Sequence, residues 1–356
     1  DRYLEALEAE MTSRLGSSTL IETLFLGGGT PTHLDPSQLQ RLLDLLARWL
    51  PLNSGAEFTI EANPESFTGE KAHLLARSGV RRVSLGAQSF QDPILKSLDR
   101  EHDAASIVRA VEWVRERAMT VSIDLIFAVP HQTLSDWRRD LEAAVHLRPE
   151  HISLYGLTYE KGTPLWKRRE RSLLTPLSED QELEMYEFGM GFLEEKGYEQ
   201  YEISNFALER HRSRHNQTYW ANEAYHGFGL GAARYIQGAR EVNTRDLMGY
   251  IRKAIAGEDV TQNSETLSPR ERARETLALQ LRRMSGIERT AFREQTGFTV
   301  EELAREPLEW LIREGFLRDR EGRVHLSGKG KPLADAVISQ LLTGGARSSG
   351  EADGPA

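Results

Sequence analysis

The residues with the means to do chemistry fall into two groups. In the first, the apolar run Leu24-Phe25-Leu26 passes into Gly27-Gly28-Gly29-Thr30-Pro31-Thr32. A glycine backbone can turn sharply and present bare N–H and C=O groups to a ligand, although a tight turn alone would use the same residues. Glu61 lies in the run Phe58 to Ala62, Gln88 follows Arg82 to Leu85, and Asp124 sits inside Val121 to Phe127. Carboxylates and an amide can take hydrogen bonds from hydroxyls or an ammonium group, and two carboxylates can divide acid and base roles between them. The second group is His215-Asn216-Gln217-Thr218-Tyr219-Trp220, a potential metal-ligating imidazole beside two rings with flat apolar faces. Packing at the edge of a domain would use those side chains equally well.

The elements that must position the first group follow a simple rhythm. Asp35-Pro36 opens a helix whose apolar face is Leu39, Leu42, Leu43, Leu46 and Leu50, and Phe58 to Ala62 is a strand. Thr68 to Ser78 reads as a helix closed by Gly79, and Arg82 to Leu85 as a strand. Asp103 caps a helix through Val108, Val111, Trp113 and Val114, before a strand at Val121 to Phe127. A helix marked by Leu134, Trp137, Leu141 and Val145 and a strand at His151 to Leu157 complete five strand and helix units. Such alternation predicts parallel strands joined by helical crossovers. The strands are short and mostly apolar, which predicts burial on both faces. An open doubly wound sheet fits the same pattern. The polar residues favour a closed or partial α/β barrel, because Gly28, Thr30, Glu61, Gln88 and Asp124 then converge at the C-terminal ends of successive strands.

Composition narrows the class. Of 356 residues, 45 are Lys or Arg and 54 Asp or Glu, so the net charge of −9 supplies no basic field for nucleic acid. No apolar run approaches the roughly 20 residues of a membrane span, and no signal peptide is visible, so a cytoplasmic location is expected. The chain has no cysteine, so thiolate metal sites and cysteine-held iron-sulfur clusters are excluded within these residues.

Past Leu157, Ser178 and Gln181 form a capping box for a helix through Leu193, and Tyr198 to Ser204 reads as a strand. From about Leu267 the spacing of Leu277, Leu281, Leu303, Leu308, Trp310 and Leu311 is helical, with a two-stranded wing near Gly315 to Leu326 and a last helix at Ala334 to Leu342. The divisions expected are a barrel at 1–204, an extension carrying the histidine motif at 205–265, a winged-helix-like α+β domain at 266–342 and a disordered tail at 343–356.

The runs Gly27 to Thr32, Glu61-Ala62-Asn63-Pro64, Gly86-Ala87-Gln88-Ser89-Phe90, Leu98-Asp99-Arg100 and Asp124-Leu125-Ile126 resemble the radical S-adenosylmethionine proteins of the coproporphyrinogen oxidase group. His215 to Trp220 matches the HNxxYW motif of the HemW heme-chaperone family, and the resemblance covers nearly the whole chain. It implies a partial (β/α)6 barrel like that of triosephosphate isomerase, and places Gly28, Gly29 and Thr30 at the methionyl end of S-adenosylmethionine. Glu61, Gln88, Arg100 and Asp124 become further cofactor contacts. For the motif it implies heme contact by His215, Asn216, Tyr219 and Trp220, with His215 as iron ligand. The group carries CxxxCxxC, holding a [4Fe-4S] cluster, after a first strand; neither is in this sequence, so truncation of a longer protein is the expectation. Ala233 stands where the family has a histidine.

The leading expectation is thus a heme chaperone that hands heme to haemoprotein acceptors and uses S-adenosylmethionine and a [4Fe-4S] cluster when intact. The alternative is an oxygen-independent coproporphyrinogen III oxidase; a third reading, free of the resemblance, is a barrel hydrolase using Glu61 and Asp124. Whether the chain is an enzyme stays undecided. Nucleic acid is not an expected partner, while peripheral membrane contact and a homodimer stay open.

Overall fold

The computed structural model of the chain describes residues 1–343, so the tail expected beyond them lies outside the described residues. After α1 (Arg2–Leu15) come β1 (Ile21–Leu26), α2 (Pro36–Trp49), β2 (Leu52–Ala62), α3 (Gly69–Arg77), β3 (Arg82–Gln88), α4 (Asp92–Ser97), α5 (Ala104–Arg115), β4 (Thr120–Phe127), α6 (Leu134–His146) and β5 (His151–Gly156). Strands β1 to β5 pair in sequence order, each parallel to the next. Then α7 (Pro164–Glu170) and α8 (Glu179–Glu195) lead to β6 (Glu199–Gln200) and β7 (Asn205–Ala207). Strand β7 pairs antiparallel with β5 and β6 antiparallel with β7, completing a curled half-barrel of seven strands with β1 at one edge. The fold is thus the α/β partial barrel the sequence predicts. The strand expected over 198–204 is broken in two, because the Glu202 carboxylate accepts the Ser204 N–H at 3.1 Å and makes a local turn between β6 and β7.

Local signals account for the helices. Asp35 caps α2 with Gln38 answering from the first turn, and the pairs Thr133/Asp136 and Ser178/Gln181 do the same for α6 and α8. Helices α2, α3, α5 and α6 bury their apolar stripes on the outer face of the sheet, where Leu39, Leu43, Leu75, Ile107 and Trp137 share one core with Ile60, Val83, Leu85, Val121 and Ile123. Burying such a side chain stabilises the fold by roughly 1.5–3 kcal/mol.

The strands are largely buried on both faces, as expected, but the two faces differ in polarity. Outward residues are apolar, but the concave face carries Thr59 and Glu61 on β2, Arg82 and Ser84 on β3, Ser122 and Asp124 on β4, and His151 and Ser153 on β5. Each of these polar rungs alternates with a buried aliphatic one. A half-barrel has its helices on one side only, so the other face is free to hold side chains that bond to one another.

The remainder wraps around the open edge. Helix α9 (Arg214–Trp220) precedes β8 (Ala233–Ile236), β9 (Ala239–Asn243), α10 (Leu247–Ile255) and β10 (Thr261–Thr266), the three strands forming an antiparallel sheet. Helix α10 lies against α1, with Tyr250 5.6 Å from Tyr3 between ring centres. A separate core is built by α11 (Pro269–Leu281), β11 (Ile287–Glu288), α12 (Arg289–Thr296), α13 (Val300–Arg313), β12 (Leu317–Arg320), β13 (Arg323–Leu326) and α14 (Ala334–Thr343), around Leu281, Phe292, Leu303 and Leu311. Strands β12 and β13 are the expected wing. Among the described residues no helix is long and apolar enough to cross a membrane.

Candidate functional site

Glu61, one residue from the end of β2, and Asp124, three residues from the end of β4, project from the same concave face two strands apart, with Asp124 one rung further along. The Asp124 carboxylate takes the Ser84 hydroxyl at 3.0 and 3.2 Å and is bonded by Ser153. Burial pushes its pKa up to about 6, against those two hydrogen bonds. Glu61 is pushed up to about 7, first by burial and then by the charge of Asp124, while the Gly28 N–H pulls it back.

The glycine turn is fitted to this carboxyl. A Cβ on Gly27 would lie 2.5 Å from the Phe25 ring and 2.7 Å from Glu61 Oε1. Gly28 has φ 79, a left-handed conformation that costs an L-residue roughly 1–2 kcal/mol. Beside the turn, the Thr30 hydroxyl accepts from Asn63 Nδ2 at 3.1 Å, while Gly29 is exposed. Gln88, the last residue of β3, has φ 62 and pairs with Leu125 across a bulge that follows Leu85. Arg100 lies in the loop after α4, and its side chain has no hydrogen bond or ion pair among the described residues.

Two residues of this rim had no motif to mark them. The His102 side chain is fully buried, with Nε2 3.0 Å from the Ala87 carbonyl and Nδ1 2.9 Å from Glu65 Oε2, so it braces the backbone next to Gln88. Tyr155, 42% exposed, follows Ser153 by two residues on the same face of β5. Its position in an alternating strand was the available signal.

The second group is separate and lies along the edge strand. Helix α9 is seated on Glu57 of β2, whose carboxylate accepts the Ser213 hydroxyl at 2.9 Å and the Arg214 N–H at 3.0 Å. This turns His215 onto β1: its ring stacks on Phe25 at 5.3 Å and 16°, Nδ1 is 2.9 Å from Thr23 Oγ1, and Nε2 is 2.9 Å from the Tyr219 hydroxyl. Burial holds the imidazole below its ordinary pKa, opposed by Glu57. His215, Tyr219, Thr23, Phe25, Gly28 and Phe228 line a cavity of about 1360 Å³ that follows β1 up to the glycine turn. The other two motif residues turn elsewhere: Asn216 donates to the Tyr201 hydroxyl at 3.3 Å, and Trp220 lies under the Arg282 guanidinium at 5.0 Å.

Over 96% of its length the chain is similar to known heme chaperones. The heme chaperone HemW of Bacillus subtilis is 36% identical over 96% of this chain and 91% of that protein, and that of Lactococcus lactis is 36% identical over 96% and 89%. The chain belongs to the HemW family. Consistent with HemW membership, residues 2–144 match the Radical SAM superfamily and 267–333 the HemN C-terminal domain. The mitochondrial radical S-adenosyl methionine domain-containing protein 1 of Bos taurus is 32% identical over 95% of this chain and 79% of that protein. In three dimensions, coproporphyrinogen III oxidase (HemN) from Escherichia coli aligns with TM-score 0.83 at 23% identity, covering 96% of this chain and 83% of that one, which shows a common fold.

Membership of a radical SAM family implies S-adenosylmethionine and a [4Fe-4S] cluster. The rim fits the first: the Glu61 carboxyl adjoins a turn at which a Cβ on Gly27 would lie 2.7 Å from its Oε1, so the backbone there stays free of side chains beside a group that can bond hydroxyls or an ammonium. The donor set does not fit the second, since none of the 356 residues is a cysteine and, among the described residues, no three His, Asp or Glu side chains are grouped to hold a metal ion.

Proposed function

We propose that the chain is a cytoplasmic heme chaperone that takes heme into the cavity beside β1 and passes it to a haemoprotein acceptor. The observation that carries this reading is His215 and Tyr219 of the HNxxYW stretch facing that cavity together, with Phe25 stacked behind the imidazole. An imidazole nitrogen supplies an axial ligand to heme iron, and the flanking rings offer apolar area to a porphyrin. To ligate through Nε2, His215 exchanges its bond to Tyr219 for one to iron. Arg283 lines the same cavity with an Nε that has no partner among the described residues, and would pair with a propionate.

In the same reading, Gly28, Gly29 and Thr30 receive the methionyl end of S-adenosylmethionine, and Glu61, Gln88, Arg100 and Asp124 its remaining polar groups. The carboxylates accept from ribose hydroxyls or the ammonium when ionised, and Arg100 offers a cation for the ligand's carboxylate.

Heme titration of the chain and of His215→Ala, followed in the Soret band, tests the assignment. Loss of the wild-type spectrum with an affinity at least about tenfold weaker is expected. An unchanged spectrum and affinity would remove His215 from the site.

A further inference from the structure

The concave face holds a buried chain of polar side chains below the cofactor rim that the reading above does not use. Ser122 and His151 are register partners on β4 and β5, and Ser122 Oγ lies 2.8 Å from His151 Nδ1. The other ring nitrogen, Nε2, is 2.8 Å from the Tyr201 hydroxyl, in the turn between β6 and β7. Tyr201 is met at the start of α9 by Asn216 Nδ2 at 3.3 Å. Ser122, His151 and Tyr201 are all buried.

Valence gives this chain a direction. A phenol has two lone pairs and one hydrogen. Asn216 donates to the hydroxyl, and among the described partners of that hydroxyl only His151 Nε2 can accept, so the Tyr201 hydrogen goes there. That nitrogen is an acceptor and carries no proton. The imidazole hydrogen is then on Nδ1, donating to Ser122 Oγ. A charged imidazolium would leave the Tyr201 hydrogen buried without an acceptor, a cost that buried polar groups avoid. The surroundings agree: burial, then Arg82 and His211, hold His151 well below its ordinary pKa. Arg82 is itself engaged, donating to the His211 carbonyl at 2.8 Å and lying 3.8 Å from Glu57.

We propose that Asn216 is a positioning residue: by donating to Tyr201 it sets the polarity of the chain Asn216 to Tyr201 to His151 to Ser122, and so fastens the motif helix and His215 to the concave face of the barrel. Asn216 thus serves the heme site from behind rather than by touching porphyrin. On β5, His151 holds this chain while Ser153, two residues on and facing the same way, holds Asp124. Neighbouring rungs of one strand therefore position both the motif helix and the cofactor rim. The functional half of the proposal rests on the heme reading; the polarity of the chain does not.

Long-range nitrogen–proton NMR of the histidine-labelled full chain, free of ligand and near neutral pH, reads the tautomer directly, with His151 assigned by the signal missing from His151→Gln. The Nδ1–H form is expected. In Asn216→Asp a carboxylate replaces the donor, takes the Tyr201 hydrogen and opens the phenol oxygen to a donor, so His151 is expected to switch to Nε2–H. An Nε2–H form or an imidazolium in the unmutated chain overturns the proposal, whether or not Asn216→Asp folds; so does a folded Asn216→Asp that keeps the Nδ1–H form. In heme titrations Asn216→Ala is expected to bind about five- to tenfold more weakly, and unmutated affinity overturns the positioning role. Should the unmutated chain bind no heme, the heme reading and the positioning role fall together, while the tautomers still decide the polarity.

Discussion

The Nε2 of His215 and the hydroxyl of Tyr219, one helical turn apart in α9, hold each other at 2.9 Å. The pair closes the nitrogen that an incoming iron would need. Burial raises the phenol to about 12, so at neutral pH it is a hydrogen-bonding hydroxyl and not a competing phenolate. A hydrogen bond of this kind contributes about 0.5–1.5 kcal/mol net. Tyr219→Phe is therefore expected to bind heme more tightly, by about fivefold. A Soret titration beside the unmutated chain checks this, and weaker binding would show that the hydroxyl serves the porphyrin instead.

Glu61 makes stability depend on pH. Its carboxyl titrates at about 7 in the fold and at its ordinary value of 4.5 when exposed, so between these limits the native state binds the extra proton. Stability from this group is complete below about pH 4.5 and is lost as pH rises through about 7. Glu61→Gln, which still accepts from Gly28, is expected to flatten that decline and to gain on the order of 2 kcal/mol over the parent at about pH 8. Urea denaturation at about pH 5 and about pH 8 measures the difference; equal slopes would mean that Glu61 is not the group titrating.

Ligand binding should run the opposite way. A carboxylate must be ionised to hold an ammonium or a sulfonium, and Glu61 and Asp124 ionise at about 7 and about 6. The affinity for S-adenosylmethionine is expected to rise between about pH 5 and about pH 8, and calorimetry of Glu61→Gln should show a shallower rise.

The two glycines of the turn should fail differently. At Gly28 only the left-handed φ opposes a side chain, since nothing lies within 4 Å of its Cβ position, so Gly28→Ala is expected to cost about 1–2 kcal/mol. At Gly27 the methyl would press on Phe25 and Glu61. Gly27→Ala is expected to displace the carboxyl and to lose S-adenosylmethionine binding, with about 1–3 kcal/mol of strain. Denaturation and calorimetry on the two variants separate these effects.

Far from the rim, the Glu10 carboxylate is almost wholly buried and accepts from Tyr250, Asn243 and the Gly229 N–H at 2.6, 2.7 and 2.8 Å, with Arg14 at 2.8 Å. It ties α1 to the segment that walls the cavity at Leu230 and Gly231. Glu10→Ala takes the buried carboxylate from Arg14 and leaves the Tyr250 hydroxyl and the Gly229 N–H without their acceptor, and is expected to cost about 3–5 kcal/mol in urea denaturation.

Much of this was legible along the chain. Capping boxes at Asp35, Thr133 and Ser178, glycines after the strands and aliphatic runs at regular spacing specify α2, α6, α8 and the four crossovers that join five strands, because these signals act within a few residues. The strand and helix alternation sufficed to place Glu61, Gln88 and Asp124 at strand ends. Helices α9 and α10 and the sheet β8–β10 were not legible, being short and held mainly by contacts such as Glu57 with Ser213 and Glu10 with Tyr250 across more than a hundred residues.

The sequence by itself determined the parallel order of β1 to β5, the chemistry gathered at their ends, and the HNxxYW stretch. The tertiary structure alone decided that β7 runs against β5, that the inner face of the sheet is polar, and that His215 and Tyr219 face the cavity while Asn216 and Trp220 bond to Tyr201 and Arg282. The reason is that a local pattern fixes which residues share an element, whereas the direction in which each side chain is used depends on a partner brought to it from elsewhere in the chain.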